Sequence, residues 1–259
     1  MRVSVAVRRG ASLPALARLL MCVAPPPDAR GGHQGGRSVG QKRVRQHVNP
    51  LRSSHQTVLA LPMDWASQAF ARPELPLHVD VGSARGFFCL DVAEARPEVN
   101  VLGLEIRRPL AEAAQTDVAT RKLGNAHFLA TNANVNLQTV LDKTAPLAPL
   151  ASVSIQFPDP HFKAKHHKRR VVQPALIEEI AAALQPGGWL WMQSDVLDVA
   201  EAMREVVRET VPGILADSRE DAEAWDATKP ELLEGCQTER ERAGIELGRP
   251  CYKCLFVKV

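Results

Sequence analysis

The chain has 259 residues, 45% of them hydrophobic, which is enough for one α/β domain of about 200 residues together with an extension. Its formal net charge of +3 is too small to indicate a nucleic-acid partner by itself, so any basic surface must come from local clustering of charge. Because no apolar run approaches the roughly 20 residues that span a bilayer and the five cysteines are irregularly spaced, we expect a soluble protein, no membrane partner, and reduced thiols instead of a disulfide framework.

The first forty residues differ in composition from the rest of the chain. They contain one acidic residue, Asp28, against six arginines, and they break into proline and glycine after Ala24. An acid-poor, arginine-bearing N-terminus of this kind predicts an organelle transit peptide over residues 1–42, and a plain disordered extension is the alternative. Composition alone does not choose between plastid and mitochondrion.

From residue 77 onward, short apolar runs alternate with stretches of helical periodicity. Five of the runs predict strands: Leu77–Val81, Val99–Ile106, Ala126–Ala130, Ala151–Phe157 and Gly188–Gln193. Four stretches predict helices: Phe87–Ala95, Pro109–Lys122, Gln173–Leu184 and Val196–Val211. The alternation predicts an α/β fold over residues 77–259, with a parallel sheet covered by helices on both faces. A last strand, Cys251–Val259, is expected to return beside the fifth, and residues 43–76 form a lead-in segment.

A turn that contains glycine, Asp80–Gly86, follows the first predicted strand and leads into a helix. Small residues such as Gly82 let the backbone approach a ligand at the helix N-terminus. Glu105 ends the second strand about 20 residues farther on, where a carboxylate can accept both hydroxyls of a ribose. Asn132, just past the third strand, can present its amide to an adenine edge or simply form a turn. The pattern predicts a nucleoside site at the carboxyl ends of the strands.

The charge of this turn separates two nucleoside cofactors. The turn lacks the G-x-G-x-x-G spacing that seats a pyrophosphate against a helix. Asp80, directly before the turn, would repel a diphosphate but would attract the ammonium group of a methionine moiety. The pattern therefore favours S-adenosylmethionine, and a nicotinamide-dependent oxidoreductase is the alternative.

The fourth predicted strand runs directly into Pro158-Asp159-Pro160. The two prolines fix the backbone on both sides of Asp159 and direct this carboxylate into the crevice. A run of positive charge follows, made by Lys163, Lys165, Lys168, Arg169 and Arg170. A basic stripe beside a rigid acid suits an RNA backbone that presents one base to the site, and a solvated basic loop is the alternative. The same cations oppose metal binding by the nearby histidines, so we expect no metal site.

The segment PDPHFKAKHHKRR (158–170), the glycine turn, Glu105 and the sequence Thr238-Glu239-Arg240-Glu241 together resemble the tRNA (guanine-N7)-methyltransferase family. The resemblance extends from Arg43 to the C-terminus. It implies a Rossmann-like, doubly wound, mostly parallel seven-stranded sheet and the transfer of a methyl group from S-adenosylmethionine to N7 of a variable-loop guanine in tRNA. The segment Arg43–Leu51 resembles photosynthetic-lineage members, which favours the chloroplast over the mitochondrion or the cytoplasm.

The resemblance also implies roles for individual residues. Asp159 would be the active-site acid. The implied cofactor contacts are Gly82, Glu105, Arg107, Asn132 and Ala133. The implied substrate neighbours are Lys163, Asp195, Thr238 and Glu241. Judged on local sequence alone, Asp195 could equally be a helix N-cap.

Two questions stay open at this point. Ala84 stands where family members commonly have glycine, and alanine is disfavoured at positive φ, so the turn is expected to be slightly different or less tight. A catalytically silent RNA-binding module on the same fold is a further alternative to the enzyme. The sequence does not imply a partner subunit, and either a monomer or a homodimer is compatible with it.

Overall fold

The described residues of the computed structural model, 48–219 and 224–259, are built around one mixed β-sheet. The predicted N-terminal extension and the first five residues of the lead-in segment (43–47) lie outside these described residues. The sheet has seven strands: β1 (Leu77–Val81), β2 (Asn100–Glu105), β3 (Ala126–Ala130), β4 (Leu150–Gln156), β5 (Leu184–Ser194), β6 (Leu215–Asp217) and β7 (Tyr252–Lys258).

The strand order is β3-β2-β1-β4-β5-β7-β6. Strands β1 to β5 pair in parallel, and β7 runs antiparallel between β5 and β6. The order reverses between β1 and β4, and a reversal of this kind opens a crevice at the carboxyl ends of the two strands. The α/β fold, the mostly parallel sheet and the return of the last strand beside the fifth are confirmed.

Within residues 48–219 and 224–259, seven α-helices connect and cover the strands: α1 (Trp65–Ala69), α2 (Phe87–Ala95), α3 (Arg108–Arg121), α4 (Ala133–Thr144), α5 (Pro174–Ala183), α6 (Leu197–Thr210) and α7 (Glu239–Glu246). Helices α1, α4, α5 and α6 pack on one face of the sheet, and α2 and α3 pack on the other. Every residue of β1 is buried because helices cover both faces of the sheet, and this includes the polar side chains of His78 and Asp80. None of the described helices is both long and apolar enough to cross a membrane.

The sequence reading identified four of these helices and six of the strands. It did not predict the short helices α1 and α7, the helix α4, which contains two asparagines and a glutamine, or the short strand β6. Asn136 of α4 is buried, and hydrogen bonds compensate for the burial of its polar side chain. Its amide donates to Thr131 Oγ1 at 2.8 Å and to the backbone oxygen of Thr57 at 3.0 Å. Because a polar asparagine occupies a position of the buried face, the regular spacing of apolar residues that identifies a helix in a sequence is interrupted.

Candidate active site

A cleft of about 800 Å³, part of it open to solvent, lies at the carboxyl ends of β1 and β4. Its walls come from the turn after β1, from the ends of β2 and β3, from the Pro158-Asp159 turn after β4, and from Val48 and Pro50 of the lead-in segment. The cleft therefore lies where the strand order predicts a ligand.

The turn after β1 takes its shape from three residues with positive φ. Gly82 has φ +87° and Gly86 has φ +78°, and between them Ala84 adopts φ +51°. Glycine is required at Gly86 because a Cβ there would lie 2.6 Å from Cζ of Phe128. The turn thus keeps a left-handed conformation at Ala84 despite its Cβ, which costs roughly 1–2 kcal/mol. Gly82 lines the cleft, and its contact with a cofactor stays a prediction.

Glu105 is buried at the end of β2 and is held on all sides. Its Oε2 accepts a hydrogen bond from the backbone N–H of Ala84 at 2.8 Å, and its Oε1 accepts from the backbone N–H of Arg107 at 2.8 Å. The Arg107 guanidinium adds contacts of 2.7 Å to Oε1 and 3.1 Å to Oε2. The hydrogen bond to Glu105, and then the charges of Glu105 and Asp159, raise the pKa of Arg107. Glu105 and Arg107, the two predicted cofactor residues, therefore form an ion pair in the cleft wall. A ribose that binds Glu105 would share the carboxylate oxygens of Glu105 with Arg107.

Asn132 and Ala133 begin α4 at the edge of the cleft. The Oδ1 of Asn132 caps the helix by accepting from the backbone N–H of Asn134 at 3.2 Å. Its Nδ2 donates to the backbone oxygens of His55 at 3.2 Å and Pro50 at 3.4 Å. Asn132 therefore forms a turn, which was one of the two roles expected from the sequence, and its side chain also connects the lead-in segment to the cleft. Contact of Asn132 with an adenine edge stays a prediction.

Asp80 lies behind the cleft and is not among the residues that line it. Its carboxylate accepts from Ser154 Oγ at 2.5 Å and from Gln156 Nε2 at 3.3 Å, and burial raises its pKa. Gln156 does line the cleft, so Asp80 reaches the cleft through the Gln156 amide. The sequence reading missed Gln156, although its place as the last residue of β4 was a usable signal.

The turn after β4 is bracketed by two bulky residues with left-handed backbone. Phe157 has φ +48° and His161 has φ +44°, on either side of Pro158-Asp159-Pro160. Such conformations cost of order 1–3 kcal/mol each and persist only where surrounding structure imposes them. Asp159 lies between these strained residues and the two prolines, in the wall of the cleft. The rigidity that the prolines predicted is therefore reinforced by the backbone on both sides.

The basic run after this turn forms a 3₁₀ helix over Ala164–Arg169, and its cations point in different directions. Lys163, Lys165 and Lys168 are exposed. Arg170 donates from Nε to the backbone oxygen of Pro160 at 3.1 Å and, with Lys168, lines a second cavity against α6. Arg169 instead lines the cofactor cleft. The structure therefore separates Arg169 from the other residues that the sequence assigned to RNA docking.

The predicted substrate neighbours at the start of α7 lie beside the end of β5. Arg240 makes three contacts of 2.9–3.2 Å with the Asp195 carboxylate, and its guanidinium carbon lies 5.9 Å from the centre of the Phe157 ring. The first turn of α7 is thereby held next to the Pro158-Asp159 turn. Asp195 does not cap α6, because the backbone N–H of Val196 donates to Ser194 Oγ at 3.1 Å. The N-cap interpretation of Asp195 is wrong.

Thr238 and Glu241 use their polar groups within the chain. Thr238 Oγ1 accepts from the backbone N–H of Glu241 at 3.0 Å and so caps α7, as a threonine three residues before a glutamate is expected to do. The buried Glu241 carboxylate pairs with Lys229 Nζ at 2.8 Å and accepts from Gln193 Nε2 at 3.4 Å. A substrate role for either residue stays a prediction, because neither lines the cleft or the second cavity.

Comparison with known proteins gives a consistent family. Residues 74–254 match a family model described as putative methyltransferase. A tRNA (guanine-N(7)-)-methyltransferase of Synechococcus sp. strain CC9311 is 47% identical over 213 residues, covering 82% of this chain and 86% of that protein. The protein of the same name from Synechococcus elongatus is 44% identical over 216 residues, with coverage of 83% and 96%. Among solved structures, the 16S rRNA methyltransferase KamB is 16% identical with a TM-score of 0.48, covering 77% of this chain and 93% of that chain.

Proposed function

The chain belongs to the tRNA (guanine-N7)-methyltransferase family, and on this premise we propose that it transfers a methyl group from S-adenosylmethionine to N7 of a guanine in tRNA. The observation that carries the proposal is Asp159, held by two prolines and two strained residues in the wall of a cleft at the switch point of the sheet. The exposed lysines of the adjoining basic run form a positively charged surface next to this turn, to which the phosphate backbone of an RNA can bind.

The cleft residues fit S-adenosylmethionine in charge and shape. A Cβ at Gly82 would meet no heavy atom within 4 Å, so the backbone there is open to close approach. Glu105 and Arg107 would hold the ribose, and Ala133 and Val48 supply apolar walls. When bound, the cofactor would supply a methyl group on a positively charged sulfur, and the acids of the cleft wall, Glu105 and Asp159, would not repel that charge.

Transfer to guanine N7 requires little acid–base chemistry from the protein. The N7 atom carries a lone pair and no proton, so no general base is needed, and the protein must align the base with the methyl group and exclude water. We assign Asp159 to this task. Its carboxylate would accept from the guanine N1–H and exocyclic amine, or would offset the positive charge that forms on the imidazole ring. Lys163, Lys165 and Lys168 would hold the phosphate backbone from outside the cleft.

Two other functions make different predictions in simple assays. A nicotinamide-dependent oxidoreductase would bind NADH in preference to S-adenosylmethionine. We expect calorimetry to show that the purified chain binds S-adenosylmethionine and gives no measurable binding of NADH. A silent RNA-binding module would bind tRNA without changing it. Incorporation of a labelled methyl group from S-adenosylmethionine into unmodified tRNA separates the enzyme from that module, and no incorporation would overturn the proposal.

We also propose that the protein acts in plastids. The arginine-bearing, acid-poor composition of residues 1–42 and the Synechococcus origin of the similar proteins support this location. A fusion of residues 1–60 to a fluorescent protein should accumulate in chloroplasts. Accumulation in mitochondria or the cytoplasm would contradict the proposal.

A further inference from the structure

The position of Arg169 separates it from the other cations of its run. Its neighbours Lys168 and Arg170 line the second cavity, between the basic run and α6. Arg169 faces the other way and lines the cofactor cleft together with Glu105 and Asp159. A cation inside a ligand cleft has a different task from one on an RNA-facing surface.

The guanidinium of Arg169 has a hydrogen-bonding group that the protein leaves unused. Its Nε is buried, and no acceptor reaches it within residues 48–219 and 224–259. A buried donor without an acceptor costs about 1–3 kcal/mol, and more when it belongs to a charged group. Such groups are rare in native structures and call for a missing partner. By contrast, Arg107 pairs with Glu105, and Nε of Arg170 donates to Pro160.

The charges of the cleft indicate what that partner is. Arg107 is already engaged by Glu105 and also feels the charge of Asp159, which leaves Arg169 as the cleft cation whose Nε still requires an acceptor. S-adenosylmethionine carries a sulfonium, an ammonium and one carboxylate. Of these three groups, the carboxylate is the one that requires a cation. The planar fork of a guanidinium matches the two oxygens of a carboxylate.

We infer that Arg169 binds an oxyanion in the cofactor cleft, and that this oxyanion is the carboxylate of the methionine part of S-adenosylmethionine. The inference rests on the proposed function, since it takes the cofactor from there. A phosphate of the target nucleotide has the same chemistry and is the other possible source of the oxyanion. The two sources differ in which ligand loses affinity when Arg169 is replaced.

The test compares two ligands that differ only in the carboxylate. Calorimetry measures Kd for S-adenosylmethionine and for decarboxylated S-adenosylmethionine, in the full chain and in Arg169→Gln. We expect Arg169→Gln to raise Kd for S-adenosylmethionine on the order of 10- to 100-fold, and Kd for the decarboxylated ligand by less than about 3-fold. Arg169→Lys should recover part of the loss, because it keeps the charge but not the fork. Arg249→Gln, the same change at an exposed arginine, should alter neither Kd.

The outcomes separate the possible explanations. Equal losses for both ligands, or none, would overturn the carboxylate assignment. A raised KM for tRNA with an unchanged preference between the two ligands would move the oxyanion to the substrate phosphate. If neither ligand nor tRNA is affected, Arg169 binds no oxyanion. If the wild-type chain prefers the carboxylate form but methylates no tRNA, the proposed function fails and the role of Arg169 stands.

A stability measurement guards against a purely structural explanation. Because Arg169 has an unsatisfied buried donor, Arg169→Gln should leave the Tm of the ligand-free protein unchanged or raise it by about 1–3 °C. A ligand-binding residue of this kind stabilises the protein only when the ligand is present. S-adenosylmethionine at a fixed concentration should therefore raise the Tm of the wild type more than that of the variant. A fall of more than about 5 °C without ligand would show that Arg169 supports the fold and would overturn the inference.

Discussion

The backbone N–H of Ala84 donates a hydrogen bond to Oε2 of Glu105 at 2.8 Å, so the turn after β1 is fastened directly to the acid that ends β2. Ala84 makes this bond from a left-handed conformation, φ +51°, that glycine adopts without cost. The sequence predicted a slightly different or less tight turn where alanine replaces glycine. The observed turn has the left-handed backbone nonetheless, and the alanine Cβ carries the strain.

Replacing this alanine with glycine should stabilise the protein. Ala84→Gly removes the left-handed strain, and we expect the free energy of unfolding to rise by about 0.5–1.5 kcal/mol after the greater flexibility of glycine in the unfolded chain is included. Ala113→Gly, at an exposed site inside α3, should lower it by about 1 kcal/mol. Urea denaturation of the two variants measures the change in the free energy of unfolding in each. A loss of stability in Ala84→Gly would show that the turn is unstrained.

Asp159→Asn tests the role of the acid in the turn after β4. The change keeps the size of the side chain but removes its charge and one acceptor, so we expect kcat to fall about 100-fold or more. Kd for S-adenosylmethionine should stay within about 3-fold, because the proposed task of Asp159 is to hold the guanine. The matched change Asp142→Asn, at an exposed carboxylate on α4, should leave both constants unaltered. Near-normal turnover by Asp159→Asn would exclude both roles proposed for this carboxylate.

The exposed lysines should determine the salt dependence of tRNA binding. Each cation that contacts a phosphate contributes roughly 0.7–0.9 to the slope of log affinity against log salt concentration. The double replacement of Lys165 and Lys168 with alanine should reduce that slope by about 1.5 and raise KM for tRNA, with no change in cofactor affinity. Arg121→Ala, on the opposite face of the sheet, serves as the control. An unchanged slope in the double variant would mean that this stretch of the basic run does not contact tRNA.

Two desolvated histidines, the buried His78 and the partly buried His127, predict that the protein loses stability in mild acid. Burial lowers the pKa of His78 to about 3 and that of His127 to about 4. As pH falls below about 6.5, the unfolded chain takes up protons that the native histidines cannot, so each histidine costs the native state roughly 1.4 kcal/mol per pH unit. Asp80, whose pKa burial raises, acts in the opposite direction. His127→Phe should therefore reduce the slope of unfolding free energy between pH 6.5 and 5 by about that amount, measured by urea titration at each pH. An unaltered slope would mean that His127 protonates readily in the native protein.

Much of the fold could be predicted because the parallel strands are buried on both faces. A strand such as β2 then carries an unbroken stretch of apolar residues and glycine, Val101–Leu104, which is easy to recognise. Glycine and proline marked the turns at Gly82 and Pro158, and the predicted parallel direction of the strands placed both turns at the carboxyl ends of the strands. The elements that were not predicted lacked such a signal. Helix α1 has five residues and β6 has three, α7 is mostly charged, and α4 buries a polar asparagine.

The site was harder to predict because side-chain direction depends on contacts distant in the chain. The sequence placed Glu105 and Arg107 near the cofactor but not in one ion pair. It predicted that Asp80 attracts the ammonium group of the cofactor, whereas in the structure Ser154 and Gln156 of β4 hydrogen-bond to its carboxylate, because β1 pairs with β4. Within the basic run, only the three-dimensional structure shows that Arg169 faces the cofactor cleft.

The most direct measurement is the position of the methyl group in the product. Unmodified tRNA is incubated with the purified chain and S-adenosylmethionine, digested, and analysed by mass spectrometry of its nucleosides and fragments. The account predicts 7-methylguanosine at one guanine of the variable loop, formed by the wild type and strongly reduced with Asp159→Asn. A methyl group on another atom or in another loop, or tRNA that is bound but stays unmethylated, would contradict it.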